Sequence, residues 1–194
     1  MTRPATLILS HGDIASILTM PMAIKAVDAV MAAHGEGRVI TPNLIHADAP
    51  SGEFHIKTGG ILGDLGPGGE GVFGLKANGG FFNNHRLGLP NIIGLITLAD
   101  AKTGAPLAVL DAVEISRVRT GAATAIAAEK LARKNSEIAT VFGSGKQARV
   151  QIEALCQVLP LKEIRIISRN QDNANRCAAD IFKQCQVMAK SWTD

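Results

Sequence analysis

Residues 137–148 read Glu-Ile-Ala-Thr-Val-Phe-Gly-Ser-Gly-Lys-Gln-Ala, an apolar segment running into Gly143, Gly145 and the small Ala148. This spacing suits a pyrophosphate. Gly143 permits a tight turn, Gly145 lets the backbone approach a phosphate, and Ala148 lets the following helix pack close to its strand. The backbone N–H groups of Ser144, Lys146 and Gln147 then lie where a helix begins, and the helix dipole there favours negative charge. At the end of the next expected strand stands Ile166-Ile167-Ser168-Arg169-Asn170, with no carboxylate. An acidic residue at that place would bond a ribose 2′-hydroxyl, whereas a serine hydroxyl beside a guanidinium suits a 2′-phosphate. The pair points to NADP(H), with NAD(H) as the alternative. Read blandly, it is a surface loop with one basic residue.

Other residues could handle an anionic substrate. Lys76 ends an apolar run and sits beside Gly79-Gly80, so it could hold an anion and, if desolvated, move a proton. A solvated strand-end cation is the plainer alternative. Arg119 and Thr120 precede a small-residue segment; Arg119 would suit a carboxylate clamp, or is an ordinary exposed helix arginine. His55 and Lys57 alternate with Phe54 and Ile56, which puts both on one face of a strand, opposite the apolar pair. His46 and His85 are isolated in the sequence and read as structural.

The elements that must position these groups follow from periodicity. A short β-prone run at 6–9 is followed by helical spacing over 21–34, stopped by Gly35-Glu36-Gly37. Strands are expected at 44–47, 53–58, 71–77, 92–99 and 106–110, separated by turn signals, with a flexible glycine-rich loop over 63–71. The segment 111–133 is the strongest helix, and its alanine-rich centre suits close packing against another backbone. A strand at 137–142, a helix at 147–159, a strand at 163–168 and a helix at 171–185 then begin a nucleotide-binding fold. The tail 186–194 lacks periodicity and reads as frayed. The class is α/β: a first α/β domain over 1–120 and an incomplete Rossmann domain over 121–194, of which two strands are visible.

Composition narrows the function classes. Apolar residues make up 46% of the 194, enough for a buried core, and the formal charge of +3 lacks any basic cluster interleaved with aromatics. Nucleic acid is therefore not an expected partner. Cys156, Cys177 and Cys185 form no CxxC pair or zinc spacing, so no metal is expected, and their odd number reads as reduced thiols. No apolar stretch has transmembrane length and no signal peptide is apparent, so the expectation is a cytoplasmic protein with no membrane partner.

Five segments in order carry a resemblance: Phe73 to Gly80 (FGLKANGG), Leu89 to Gly94 (LPNIIG), Leu98 to Asp111, Arg119 to Ala125 (RTGAATA), and Gly143 to Ala148 (GSGKQA). Together they closely resemble the ornithine cyclodeaminase/μ-crystallin family, over about residues 6–185. The resemblance implies a substrate and dimerisation domain ahead of an NAD(P)-binding Rossmann domain, a homodimer, and chemistry at the α-carbon of an amino or cyclic imino acid. Ornithine cyclodeamination and reduction of ketimines such as Δ1-pyrroline-2-carboxylate are the two forms implied. By the same resemblance, Lys76 is the active-site lysine that holds the substrate carboxylate, and Arg119 is its second partner. Asn91 and Thr120 lie toward the nicotinamide ribose, and Gly143, Ser144, Gly145, Lys146 and Gln147 cradle the pyrophosphate.

Several positions depart from the family pattern. Ser168 stands where the cyclodeaminase has its ribose-binding aspartate, which argues against a tightly NAD-bound cyclodeaminase. Asn43 occupies the place of a third, arginine ligand to the carboxylate, and Lys57 could compensate for it. His55 replaces a glutamate near the substrate amine, and the run Phe54 to Gly60 looks more like the subgroup associated with ectoine breakdown. The family's catalytic aspartate belongs to the second half of the Rossmann domain and has no counterpart here. Two readings follow: an NAD(P)-dependent enzyme of this family, or a truncated, non-catalytic remnant that binds nucleotide or dimerises.

Overall fold

The computed structural model describes residues 5–64 and 69–192. The chain divides into two compact units, 1–18 with 29–116 and 19–28 with 117–194. The division expected near residue 120 falls inside a helix that contributes to both. Part of the glycine-rich loop expected over 63–71, and residues 193–194 of the tail, lie outside the described residues.

The first unit is a six-stranded sheet in the order β1-β6-β5-β4-β3-β2. Its strands are β1 (Leu7–Leu9), β2 (Val39–Ala49), β3 (Gly52–Leu62), β4 (Gly71–Gly80), β5 (Ile92–Asp100) and β6 (Pro106–Asp111). β1 pairs parallel to β6, and every other pair is antiparallel. β2, β3 and β4 run beyond the expected limits, and in β3 and β4 this is because glycines that resemble turn signals are paired strand residues. Gly60 shows why: a Cβ there would meet the Val72 carbonyl oxygen at 2.7 Å and Ile40 Cδ1 at 2.8 Å. Close backbone approach, and not a turn, requires glycine at that position.

A short helix that periodicity did not suggest, α1 (His11–Ile17), follows β1. It starts with a capping box in which the Asp13 N–H donates to Ser10 Oγ and the Ser10 N–H donates to Asp13 Oδ2 at 2.8 Å. The Ser10 hydrogen bonds hold the Asp13 carboxyl below its ordinary range. Through Ile14, α1 buries Ala108 and Leu110 of β6, with Leu9, Ile96, Leu98 and Ile115 around them. One side of the sheet is thereby partly covered at the β5–β6 end.

The second unit is a three-stranded parallel sheet in the order β7-β8-β9, formed by β7 (Ile138–Phe142), β8 (Glu163–Ile167) and β9 (Met188–Ser191). Helices α4 (Lys146–Val158) and α5 (Gln171–Cys185) connect them. This is the start of a Rossmann sheet. The tail expected to fray instead supplies the third strand: its alternate residues are half-buried, and the Trp192 N–H donates to the Ile166 carbonyl at 2.8 Å. A four-residue strand is too short for periodicity to reveal. Ile152, Ile164, Ile166, Cys177 and Ile181 are fully buried and form the core.

Helices α2 (Met20–Gly35) and α3 (Val113–Leu131) contribute residues to both units. Within the second unit, the small residues of α3 do what their size suggests. A Cβ on Gly121 would meet Val150 Cγ1 at 2.7 Å and the Val150 carbonyl at 2.8 Å, so α3 packs directly on the α4 backbone. Among the described residues, no single helix is long and apolar enough to cross a membrane.

Candidate nucleotide and substrate sites

In the second unit the glycine turn has the geometry its sequence requires. Gly143 adopts φ +112°, a conformation that favours glycine, and its N–H donates to the Ile167 carbonyl at 2.7 Å. That bond ties the turn to the end of β8. Gly145 is the N-cap of α4, and no side chain caps that end of the helix. A Cβ on Gly143 or Gly145 would meet nothing within 4 Å. The space above both glycines is therefore open, and the amides that begin α4 have no side-chain oxygen in front of them. Lys146 and Gln147 occupy the first two positions of the helix, both exposed.

Arg149, which the sequence reading missed, braces this turn from below. Its guanidinium donates to the Ser144 carbonyl and, at 3.3 Å, to the Gly145 carbonyl. Asp180 of α5 holds the guanidinium in turn, at 3.0 and 2.9 Å. An arginine one turn into a helix gives no sequence signal for this, since the bond depends on where α5 lies.

Beside the turn is a cavity of about 640 Å³ lined by Phe142, Gly143, Ser144, Ser168, Arg169 and Asn170, among others. Ser144 and Ser168 hydroxyls are hydrogen bonded at 2.9 Å across the two strand ends. Arg169 is exposed, and Asn170 caps α5 by accepting from the Asn173 N–H at 2.8 Å. The turn and the residues expected to meet the ribose thus share one concave surface. Uncovered helix amides, an open glycine turn and a nearby guanidinium fit a dinucleotide. Arg119 and Thr120 lie on α3 in this unit. Arg119 is exposed, and the Thr120 carbonyl accepts from Thr124 Oγ1 at 3.4 Å.

In the first unit, register divides the sheet into two unlike faces. His46 stands opposite His55, Asp48 opposite Glu53, His55 opposite Asn78, and Lys57 opposite Lys76. Directly opposed residues share a face, so one side carries His46, Glu53, His55, Lys57, Lys76 and Asn78. The half-buried Lys76 donates from Nζ to Ser116 Oγ at 3.3 Å. His55 Nε2 lies 3.1 Å from Glu53 Oε1, and the His46 and His55 rings meet edge to face at 4.7 Å. Asn78 Oδ1 is buried without a hydrogen bond; it lies so close over Gly94 that a Cβ there would meet it at 2.3 Å. The other face is apolar: Ile45 opposes Ile56, Ile56 opposes Ala77, and Ala77 opposes Leu95. Ile45, Phe54, Ile93 and Leu95 are exposed on it.

Lys76 and His55 are therefore brought onto one face, as strand alternation suggested for His55. Asn43 is not with them. It opposes Thr58, which lies on the apolar side, and its amide donates to the Thr41 carbonyl at 3.3 Å. The unbroken pairing from Asn43 to Ala49 sets that face, and spacing alone does not reveal the register. Asn91 lies just before β5 and fastens its loop: Oδ1 accepts the His85 N–H at 3.2 Å, and its carbonyl accepts the Phe81 N–H at 2.8 Å. His46, isolated in sequence, joins the polar face because the β2–β3 hairpin folds it onto His55.

Known proteins resemble this chain in sequence and fold. Residues 5–193 match the ornithine cyclodeaminase/mu-crystallin family. The alanine dehydrogenase of Archaeoglobus fulgidus is 34% identical over 160 residues, which cover 82% of this chain and 47% of that protein. The Δ1-pyrroline-2-carboxylate reductase of Thermococcus litoralis, solved with NADH and L-proline, superposes with a TM-score of 0.86 at 29% identity, covering 97% of this chain and 57% of that one. An archaeal alanine dehydrogenase dimer with bound NAD gives a TM-score of 0.87 at 30% identity, covering 97% of this chain and 56% of the other. The chain spans about half the length of the curated relatives it matches. It belongs to the ornithine cyclodeaminase/mu-crystallin family.

Proposed function

We propose that this chain supplies the substrate and dimerisation part and the first nucleotide-binding part of an NAD(P)-dependent enzyme acting at the α-carbon of an amino or cyclic imino acid. The observation that carries the reading is the open glycine turn beside Ser168 and Arg169. The pyrophosphate lies over Gly143 and Gly145, against the uncapped start of α4, and Arg149 keeps the turn in shape from the opposite side. Ser168 and Arg169 receive a 2′-phosphate, which favours NADP(H) over NAD(H). When bound, the nicotinamide supplies or accepts the hydride.

The chain's own groups handle the substrate. Lys57 and Lys76 stand opposite one another on the polar sheet face and present two ammonium groups to an anion. A substrate carboxylate binds beside them, and the Ser116 hydroxyl orients the Lys76 ammonium. In the second unit, family resemblance gives Arg119 a role with the substrate carboxylate and Thr120 one with the nicotinamide ribose; in the first, His55 is the group for the substrate nitrogen. Fixing the carboxylate orients the α-carbon, and orientation supplies much of the rate in such reactions. The exposed apolar face of the sheet suits a second copy of the chain, giving a homodimer. The three free cysteines are in keeping with a cytoplasmic protein.

The test is a fluorescence titration of the 194-residue chain with NADPH and NADH, followed by an assay with Δ1-pyrroline-2-carboxylate. Tighter binding of NADPH with imine reduction is the expected result. Failure to bind either nucleotide refutes the reading; nucleotide binding without turnover leaves a nucleotide-binding, non-catalytic protein.

A further inference from the structure

We infer that His46, Glu53 and His55 form a binding site for a transition-metal dication of the zinc class on the polar face of the six-stranded sheet. The three come from adjacent strands, and the β2–β3 register places His46 directly opposite His55. One ligand atom from each residue lies within 4.8 Å of the others. His55 Nε2 is 3.1 Å from Glu53 Oε1, and His46 Nε2 is 3.9 Å from Glu53 Oε2. Ligand atoms about 2.0–2.1 Å from a tetrahedral zinc are about 3.3 Å apart; the His55–Glu53 pair stands near that separation, and the 4.8 Å limit leaves His46 a side-chain rotation away from it.

The donor set selects the ion. Two imidazoles and one carboxylate suit zinc, nickel, cobalt or copper, whereas calcium and magnesium take oxygen ligands. Glu53 stands between the rings, with one oxygen toward each histidine. Asp48 adds negative charge, with its carboxylate 3.1 Å from His46 Nε2 and 92% exposed. It is free to turn aside or to serve as a fourth ligand. His46, Glu53 and His55 are each about a third exposed or more, so a hydrated ion has access and three protein ligands leave a position open to water or a small ligand. The site rests on β2 and β3 alone and does not depend on the nucleotide reading.

The test is calorimetric titration of the untagged, chelator-treated chain with zinc chloride, repeated with magnesium chloride, and cobalt(II) absorption spectroscopy of the same protein. His46→Ala and Glu53→Gln are compared with the wild type. A Cys156→Ser/Cys185→Ser double variant is the control, since these half-buried thiols are the competing soft ligands in the second unit. The expected result is one zinc per chain, no response to magnesium, binding weakened at least about 10-fold by either hairpin substitution, and no effect of the cysteine changes. Absence of stoichiometric binding at millimolar zinc overturns the inference. So does binding that survives both hairpin substitutions or disappears with the two cysteines.

Discussion

The glycine turn and the polar sheet face hold their functional groups in opposite ways. The turn uses consecutive residues: Gly143 and Gly145 open the way to the uncapped amides that begin α4, and what matters is the absence of side chains above the two glycines. The sheet face uses residues far apart in sequence, with His46, His55 and Lys76 taken from three strands and aligned by register. A backbone site is broken by adding atoms, a register site by removing a charge or slipping a strand. The difference teaches where each is vulnerable.

The largest effect should come from filling the turn. Gly145→Val is expected to leave the melting temperature nearly unchanged, since its Cβ meets nothing, while NADPH binding falls by about 100-fold, the loss of roughly two hydrogen bonds to a charged group. Gly143→Val differs in a useful way. At φ +112° a β-branched residue adds strain of about 1–3 kcal/mol, so stability should fall together with binding. Equal effects of both substitutions on thermal melting would undo the distinction drawn between them.

On the sheet face, Lys76→Ala is expected to weaken a carboxylate substrate by about 10- to 100-fold, the value of one charge-assisted hydrogen bond, with nucleotide affinity unchanged. Parallel loss of nucleotide affinity would show that the two sites are not separable. On the reverse side of the same sheet, Leu95→Glu should move the species seen by sedimentation from dimer to monomer while the chain stays folded. A wild-type monomer would remove the role assigned to the apolar face.

Smaller effects sharpen the contrast. Arg169→Ala should weaken NADPH by about 10-fold and NADH hardly at all, because a single guanidinium–phosphate contact is lost. Equal losses for the two cofactors would place Arg169 outside any 2′-phosphate pocket. The smallest concerns acid stability of the second unit. Arg165 and then Lys190 hold the Glu163 carboxyl below its ordinary value of 4.5. A depressed carboxyl contributes stability above that ordinary value and loses it as pH falls through the lower, folded value. Glu163→Gln should therefore lower the melting temperature slightly at neutral pH and flatten its decline below about pH 4.5; an unchanged acid slope would count against the pairing.

Local pattern made much of this molecule legible. Helical spacing placed α2, α3, α4 and α5 within a residue or two, because each exceeds three turns and so carries its own period. Short elements were harder. α1 depends on the Ser10–Asp13 capping box and the burial of Ile14, and β9 on pairing with β8, so neither carries a period of its own. The glycines of β3 and β4 suggested turns because glycine has two uses, conformational freedom and close backbone approach, and sequence does not separate them.

The sequence by itself determined the glycine turn, the candidate residues of the second strand end, and the alternation that gives His55 and Lys57 a common face. These are properties of neighbouring residues, set by backbone stereochemistry and a period of two or 3.6. Only the tertiary structure decided that Asn43 faces away from Lys76, that His46 meets His55 and Glu53, and that Arg149 braces the turn through Asp180. Each depends on strand register or helix placement. A shift of one residue reverses every side chain on a strand, and nothing in a single strand's sequence fixes that shift.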